Sequence, residues 1–407
     1  MRNEIKVRMF SASHLLMILV SVMSLLAACG QSVPSGNATT VTPKPALRTP
    51  QIIYAVDANK QLRAFRHDDG KVLWLQQTSS QGRDEGVLTV ENLVVYVVQS
   101  NETSSIVTAF DAKQGKLLWS TQVPLPRDSS GYRRSVAVKV TGHFLVAEIE
   151  DGQTGSPTQV YALRTDSKAL LWQVELKQRC CRGFLATKES VAIASVDELD
   201  VLQTSTGQRL WQYQPNTNNN HAESYVMGIA SQGGTIYLSA GGFDQSQTPN
   251  LRYGYTVALQ SGNGQTLWTH SVTGFTPQIL ASSEEMILVG AFWDRTLEAL
   301  RSTDGMLLWQ YKDSVQSDRG FVAATVADHI VYVTAVTVGY ADNGSTLDAL
   351  HPNDGTRLWR YEQSTGGIEL IAASPDTCYI HARRDEASSG IAALRFSDRK
   401  ELWFSAV

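Results

Sequence analysis

The chain has 407 residues, of which 43% are hydrophobic and 18% charged, and its formal net charge at pH 7 is −4. This near-neutral balance argues against nucleic-acid binding, which needs a concentrated basic face. The chain is longer than most single domains. The internal repeat described below explains this length without a second domain.

The first 28 residues have the pattern of a lipoprotein signal peptide. Arg2, Lys6 and Arg8 give a basic start, and the apolar run at residues 15–26 is too short for a comfortable bilayer span. The Leu-Ala-Ala-Cys that follows matches a lipobox, so we expect Cys29 to carry lipid and to begin the mature protein. An ordinary signal peptide with an incidental Cys is the alternative.

Residues 29–50 predict a flexible tether between this anchor and the rest of the chain. They are rich in Ser, Thr and Pro and have no apolar periodicity. Gly30 rather than Asp follows the Cys, so the usual signal for retention at an inner membrane is absent. We expect the protein in the cell envelope, on the periplasmic side of an outer membrane or, in a single-membrane organism, outside the plasma membrane.

Residues 51–407 are organised around a repeated frame that ends in Trp. The clearest copy is AFDAKQGKLLW at residues 109–119. The eight tryptophans are Trp74, Trp119, Trp172, Trp211, Trp268, Trp309, Trp359 and Trp403. A small residue precedes each Trp by ten positions, and a Gly precedes it by four positions in six copies, with Lys168 and Arg399 in the other two. Because Trp is rare, this coincidence indicates an internal repeat.

Each frame predicts a β-hairpin closed by a tight turn in which Gly takes a left-handed conformation. Two further strand-like runs lie between successive hairpins, and the tryptophans are 39 to 57 residues apart. This spacing predicts an all-β, eight-bladed propeller of four-stranded antiparallel blades. We expect each Trp to cover the neighbouring blade. The first blade has little sequence before it, so its innermost strand is either missing or supplied by residues 45–50.

The frame A-x-D-x-x-x-G-x-x-x-W resembles the tryptophan-docking repeat of the PQQ-type propellers. One branch of that family consists of quinoprotein dehydrogenases, which hold pyrroloquinoline quinone and Ca²⁺ on the propeller axis. The other consists of BamB, a lipoprotein scaffold for assembly of outer-membrane β-barrels, and its relatives. The resemblance covers residues 51–407 and is specific for the fold, whereas function must be argued from the site.

The quinoprotein branch implies a vicinal disulfide over the cofactor, for which Cys180 and Cys181 are the candidates. Adjacent residues on a strand project to opposite faces, so a reduced pair is the alternative. Carboxylates that could serve Ca²⁺ are scattered without a recognisable arrangement: Asp197, Glu198, Asp200, Glu223, Asp244 and Asp294. The histidines have no metal-ligand spacing. We therefore expect no metal, no cofactor and no catalytic residue.

The long connections predict a recognition face. We letter the strands of a blade A to D from the axis outward. Every long insertion, among them a predicted B–C loop at residues 241–254, then falls in a B–C or a D–A connection, and all of these emerge on one face. They carry the candidate partner-binding residues Tyr132, Arg133, Arg134, His221, Tyr225, Phe243, Arg252, Tyr253 and Tyr340. Tyr and Arg are common in binding hot spots, although long loops also collect neutral insertions.

We therefore expect a monomeric, membrane-anchored, non-catalytic scaffold that binds an envelope protein or peptide through this face. A quinoprotein-type dehydrogenase with pyrroloquinoline quinone and Ca²⁺ is the alternative enzyme. A protein that binds extracellular carbohydrate or another polymer through its aromatic loops is the third possibility.

Overall fold

The fold is taken from a computed structural model of the chain. The structure describes residues 52–57, 59–79, 86–125, 133–151, 158–176, 183–215, 222–244, 251–272, 276–291, 294–312, 319–327, 329–337, 344–363, 368–374, 377–383, 389–395 and 397–406. All regular structure in these ranges is β-strand. Within them, no helix has the length and apolar character needed to cross a membrane.

The strands follow one another as consecutive antiparallel sheets, which we number as blades along the chain. Blade 1 contains β1 (Ile52–Val56), β2 (Gln61–Arg66) and β3 (Val72–Gln77). Blade 2 contains β4 (Val87–Glu91), β5 (Val94–Ser100), β6 (Ser104–Asp111) and β7 (Leu117–Pro124). Blade 3 contains β8 (Arg133–Thr141), β9 (Phe144–Asp151), β10 (Thr158–Arg164) and β11 (Leu170–Leu176). Blade 4 contains β12 (Gly183–Ala186), β13 (Ser190–Ala194), β14 (Leu199–Gln203) and β15 (Arg209–Tyr213).

The second half of the chain continues in the same way. Blade 5 contains β16 (Ala222–Gln232), β17 (Thr235–Asp244), β18 (Leu251–Gln260) and β19 (Thr266–Ser271). Blade 6 contains β20 (Pro277–Ser282), β21 (Met286–Ala291), β22 (Thr296–Arg301) and β23 (Leu307–Lys312). Blade 7 contains β24 (Arg319–Ala327), β25 (Ile330–Thr337), β26 (Ser345–Leu350) and β27 (Arg357–Gln363). Blade 8 contains β28 (Ile368–Ser374), β29 (Thr377–Arg383), β30 (Ser389–Arg395) and β31 (Glu401–Ala406).

The blades are arranged radially. The first strand of each four-stranded blade contacts the first strand of the next, so these A strands form the inner ring and the Trp-bearing D strands lie outermost. The predicted all-β, eight-bladed propeller is confirmed. Blade 1 has strands B, C and D in the described part of the chain. Residues 45–50, to which one of the two sequence-based alternatives assigns its A strand, lie outside the described residues.

Hydrophobic burial occurs between blades rather than within them. The buried side chains form eight clusters, and each cluster joins two consecutive blades. The closing cluster places Ile53 and Phe65 of blade 1 against Tyr379 and Ile391 of blade 8. A single blade has two apolar faces and cannot bury both, so the closed ring is the stable unit.

The small residue ten positions before each Trp lies in strand C, between a residue of strand B and the Trp of strand D. In blade 5, Ala258 pairs with Tyr237 on one side and with Trp268 on the other, and the two aromatic rings meet with their centroids 5.8 Å apart. The same Tyr-Trp contact, at 5.8 to 6.1 Å, recurs in blades 1, 2, 7 and 8. A larger residue than Ala would obstruct this contact in a close-packed interface.

The Leu before each Trp is the extra residue of a β-bulge. In blade 2, Ala109 pairs with Trp119 and the next residue, Phe110, pairs with Leu117, so Leu118 has no opposite residue. The same shift occurs in the outer strand of all eight blades. A bulge locally bends and twists its strand, which turns each Trp toward the next blade.

Six indole rings each lie on the glycine of the next blade's C–D turn. A Cβ on these glycines would come within 2.3 to 2.7 Å of the ring, and their φ angles are 66° to 73°. Each of the six indole N–H groups donates to a carbonyl of the same turn at 2.6 to 3.1 Å. The pairs are Trp74 with Ala112, Trp172 with Thr204, Trp211 with Ser261, Trp268 with Ser302, Trp309 with Pro352 and Trp403 with His67. Lys168 and Arg399, at the turns after Trp119 and Trp359, have φ angles of 61°.

Candidate functional site

The two faces of the propeller differ in the length of their connections. We call the face with the A–B and C–D turns the trim face and the opposite one the long-loop face. Connections on the trim face have at most six residues, whereas four connections on the long-loop face have seven to nine, at residues 78–86, 125–132, 214–221 and 338–344. Any site built from variable connections therefore lies on the long-loop face.

Blade 5 projects beyond its neighbours on this face. Its strands β16, β17 and β18 have 11, 10 and 10 residues, whereas the outer strand β19 has six. Pairing continues through Ala222, Asp244 and Leu251, although β19 pairs with β18 only as far as Tyr255 opposite Ser271. A three-stranded extension, residues 222–225, 241–244 and 251–254, thus stands on the long-loop face.

The extension corrects the loop that the sequence predicts at residues 241–254. Its Gly-Gly pair resembles a turn signal, but both glycines belong to β17. A Cβ on Gly241 would lie 2.9 Å from the carbonyl oxygen of Tyr253 and 3.0 Å from Cδ of Pro277. Glycine is therefore needed there for close approach of blade 6, as is common within strands.

Four of the candidate partner-binding residues lie on the extension and two lie elsewhere on the same face. Tyr225 belongs to β16, Phe243 to β17, and Arg252 and Tyr253 to β18, with Arg252 exposed and Tyr253 half-buried. Arg133 and Arg134 begin β8 of blade 3, so the structure does not bring all the candidates together. The remaining candidates Tyr132, His221 and Tyr340, and also Cys29, Cys180 and Cys181, lie outside the described residues.

Two tyrosines and a backbone bond hold the base of the extension against blade 4. Tyr255 of β18 packs in the same hydrophobic cluster as Tyr213 of blade 4, and the backbone N–H of Val226 donates to the carbonyl of Val196 in blade 4 at 2.7 Å. Burial raises the pKa of Tyr213 to about 12, and the electrostatic interaction and hydrogen bond with Tyr255 act in the same direction. Tyr213 could have been found from the sequence, because Tyr311 and Tyr361 likewise stand two residues after the Trp of their frames.

A cavity of about 290 Å³ lies at the axis beneath the extension, between the inner strands of blades 5, 6 and 7. Its walls include Met227, Leu280 and Val322, each the extra residue of a β-bulge in its inner strand. A small residue follows each of them in the chain. The same pattern of an apolar bulge residue followed by a small one recurs in the inner strands of blades 3 and 8, so it marks the inner strand rather than the cavity itself.

The residues at this cavity do not fit pyrroloquinoline quinone with Ca²⁺. Ca²⁺ prefers carboxylate and carbonyl oxygens, and the described lining is aliphatic apart from Gln278 and backbone groups. Asp200 pairs instead with Arg209 of the outer strand at 2.8 Å, and burial raises the pKa of Asp200. Across the described ranges, no three His, Cys, Asp or Glu side chains are grouped to hold a metal ion.

Comparison with known proteins agrees with the architecture. Over 94 residues, the chain is 32% identical to tetrathionate hydrolase of Acidithiobacillus ferrooxidans, a match that covers 21% of this chain and 18% of the hydrolase. The crystal structure of BamB from Moraxella catarrhalis superposes with a TM-score of 0.56 at 16% identity, covering 82% of this chain and 91% of that one. The dihydro-heme d1 dehydrogenase NirN superposes with a TM-score of 0.60 at 10% identity, covering 88% and 73%. At such identities these structures share the fold alone.

A family model extends this likeness along the whole repeat region. It matches residues 31–148, 105–274 and 252–407, and it describes outer membrane protein assembly factor BamB. Together these matches span residues 31–407, which include all eight blades and far more than half of the chain. The chain therefore belongs to the BamB family of PQQ-like repeat propellers.

Proposed function

We propose that this protein is a non-catalytic scaffold of the cell envelope, anchored by lipid on Cys29, that binds a protein or peptide through its long-loop face. Family membership supports the role of an envelope scaffold, since the matching family model describes an outer membrane protein assembly factor. The lipobox around Cys29 supports the anchor. The protein would act as a monomer, on the periplasmic side of an outer membrane or outside the plasma membrane.

The observation that carries the proposal is the three-stranded extension of blade 5. It projects a rigid, hydrogen-bonded sheet rather than a loose loop, so a partner would bind it with little loss of conformational entropy. Arg252 is exposed on it and Tyr253 is half-buried beside Arg252. Arg and Tyr are enriched among the residues that dominate binding energy.

Site-specific photo-crosslinking in cells tests this proposal. A photoreactive residue in place of Arg252 should trap one or a few envelope proteins, identified by mass spectrometry. The matched control is Gln114, an exposed residue in the C–D turn of blade 2 on the trim face, which should give no such product. The double variant R252S/Y253S should lose the same partner in affinity capture while its thermal unfolding is unchanged.

Two results would contradict the proposal. Equal crosslinking from Gln114 and Arg252 would remove the long-loop face as the binding surface. Full retention of the partner by R252S/Y253S would remove the extension as its centre.

A further inference from the structure

The outer rim of the trim face carries a ring of leucines, one per blade, which forms a repeated apolar surface. They are the bulge residues before each Trp: Leu73, Leu118, Leu171, Leu210, Leu267, Leu308, Leu358 and Leu402. Their side chains are between 38% and 52% exposed. Single exposed leucines are ordinary on protein surfaces, but here a leucine recurs at the equivalent bulge position of all eight blades.

The bulge explains why these leucines face outward. It turns the Trp onto the next blade and leaves the preceding residue without a cross-strand partner. A polar residue would satisfy that position equally well in water. Further apolar side chains, among them Val72, Leu117 and Leu170, are also exposed beside the ring.

The rim is also more basic than the rest of the chain. The eight segments from the last residue of strand C to the residue before the Trp contain twelve Lys and Arg and eight Asp and Glu, whereas the whole chain contains 35 and 39. Four of these Asp residues pair with an Arg of their own turn: Asp69 with Arg66, Asp166 with Arg164, Asp304 with Arg301 and Asp398 with Arg395. Lys116, Lys168 and Lys400 are exposed next to the leucines.

The first described residue of the chain lies at this same face. Ile52, the first described residue, pairs with Arg66, the last residue before the C–D turn of blade 1. The described chain therefore begins at the trim-face end of β1.

We propose that the outer rim of the trim face rests on the surface of an anionic phospholipid membrane. This proposal rests on the lipid anchor of the proposed function. Half-exposed leucines would enter the interfacial region while the adjacent Lys and Arg contact lipid phosphates, a combination typical of interfacial binding. The long-loop face, on the opposite side of the toroid, would then point away from the bilayer.

Amine labelling of the full-length protein, reconstituted through its own anchor, tests the orientation. In vesicles of phosphatidylglycerol and phosphatidylcholine, labelling of Lys116, Lys168 and Lys400 should fall at least threefold relative to detergent solution. Lys312 is exposed at the long-loop end of β23 and should label equally in both. Uniform labelling of all four lysines, or protection of Lys312 alone, would overturn the proposal.

A matched pair of variants separates the leucine ring from general crowding. L118S/L171S should restore the labelling of Lys116 and Lys168 in vesicles. L75S removes an exposed leucine further along β3 and should leave the protection unchanged. Protection that persists in L118S/L171S would show that the ring is not the contact.

Failure of the anchor can be told apart from failure of the rim contact. Mass spectrometry of the peptide containing Cys29 reports lipidation independently of labelling. If Cys29 carries no lipid, the same chain is floated with phosphatidylglycerol vesicles. Co-flotation that L118S/L171S abolishes supports the rim contact, and absence of co-flotation overturns it.

Discussion

The indole of Trp403 covers Gly70, so the last outer strand of the chain rests on the first C–D turn. A Cβ on Gly70 would lie 2.3 Å from Cε3 of Trp403, and the indole N–H donates to the carbonyl of His67 at 2.9 Å. Arg63 adds a hydrogen bond to the carbonyl of Ala406 at 3.2 Å. These contacts close the ring between blade 8 and blade 1.

Truncation of this Trp should open the ring at one defined place. We expect W403A to lower the free energy of unfolding by about 3–5 kcal/mol, because it removes a large side chain from a packed interface. Hydrogen exchange should rise in β1 to β3 and in β28 to β31. W211A is the control, since it should raise exchange at the interface of blades 4 and 5 instead. Exchange that rises uniformly in both variants would contradict a local opening.

One turn contains both a constrained and an unconstrained glycine. A Cβ on Gly264 would lie 2.7 Å from Trp211, and its φ is 73°, whereas nothing lies within 4 Å of a Cβ on Gly262. We expect G264A to lower the free energy of unfolding by at least about 1–2 kcal/mol from the left-handed backbone alone. G262A should stay within about 0.5 kcal/mol of the wild type. Denaturant titration checks both, and equal effects would refute the docking argument.

Lys168 has a left-handed backbone at a turn position that is Gly in six other blades, so replacing it with Gly should stabilise the protein. We expect K168G to raise the free energy of unfolding by about 0.5–1 kcal/mol, because the relieved strain exceeds the entropy that Gly adds to the unfolded chain. K168A keeps a Cβ and should leave stability unchanged. Calorimetry of the three proteins measures the difference. Stabilisation by K168A to the same extent would assign the effect to the side chain.

Asp348 is a buried carboxylate whose hydrogen-bond partners lie in two blades, 6 and 7. Arg360 donates to both of its oxygens at 2.6 and 2.7 Å, and the hydroxyl of Tyr311 in blade 6 donates to Oδ2 at 3.1 Å. We expect R360M to cost about 3–5 kcal/mol, since it leaves the charge buried without its partner. The corresponding pair in blade 5 is Val257 and Thr269. The double variant D348V/R360T copies that pair and should lose less than R360M does, and a larger loss would contradict this account.

Alkaline pH should destabilise the protein through its buried tyrosines. Burial raises the pKa of Tyr213 and Tyr311 to about 12, whereas Tyr in an unfolded chain ionises near pH 10. The stability contributed by keeping these two hydroxyls protonated is fully present below about pH 10 and is lost as the pH rises toward 12. Y213F, which cannot ionise at this position, should lose less stability between about pH 10 and 12 in denaturant titrations. An unchanged slope would exclude Tyr213 as a contributor.

The blade count and the identity of the docking tryptophans could be predicted from the sequence, because the frame spans a single hairpin. The small residue, the turn Gly and the Trp lie within eleven residues, so local spacing records them directly. The Tyr of strand B was missed, although it faces the same Ala, because it reaches that Ala only through strand pairing. The interval between Tyr237 and Ala258 includes a connection of variable length.

By itself, the sequence determined the repeat, and with it an all-β ring of eight units, because a blade with two apolar faces must stack on others. Only the tertiary structure decided how far each strand extends and what each face presents. Gly241 and Gly242 form part of a strand because both pair with β16 and β18, and Leu118 is exposed because a bulge turns Trp119 inward. Both outcomes depend on contacts between strands, and the spacing of residues along one chain does not contain that information.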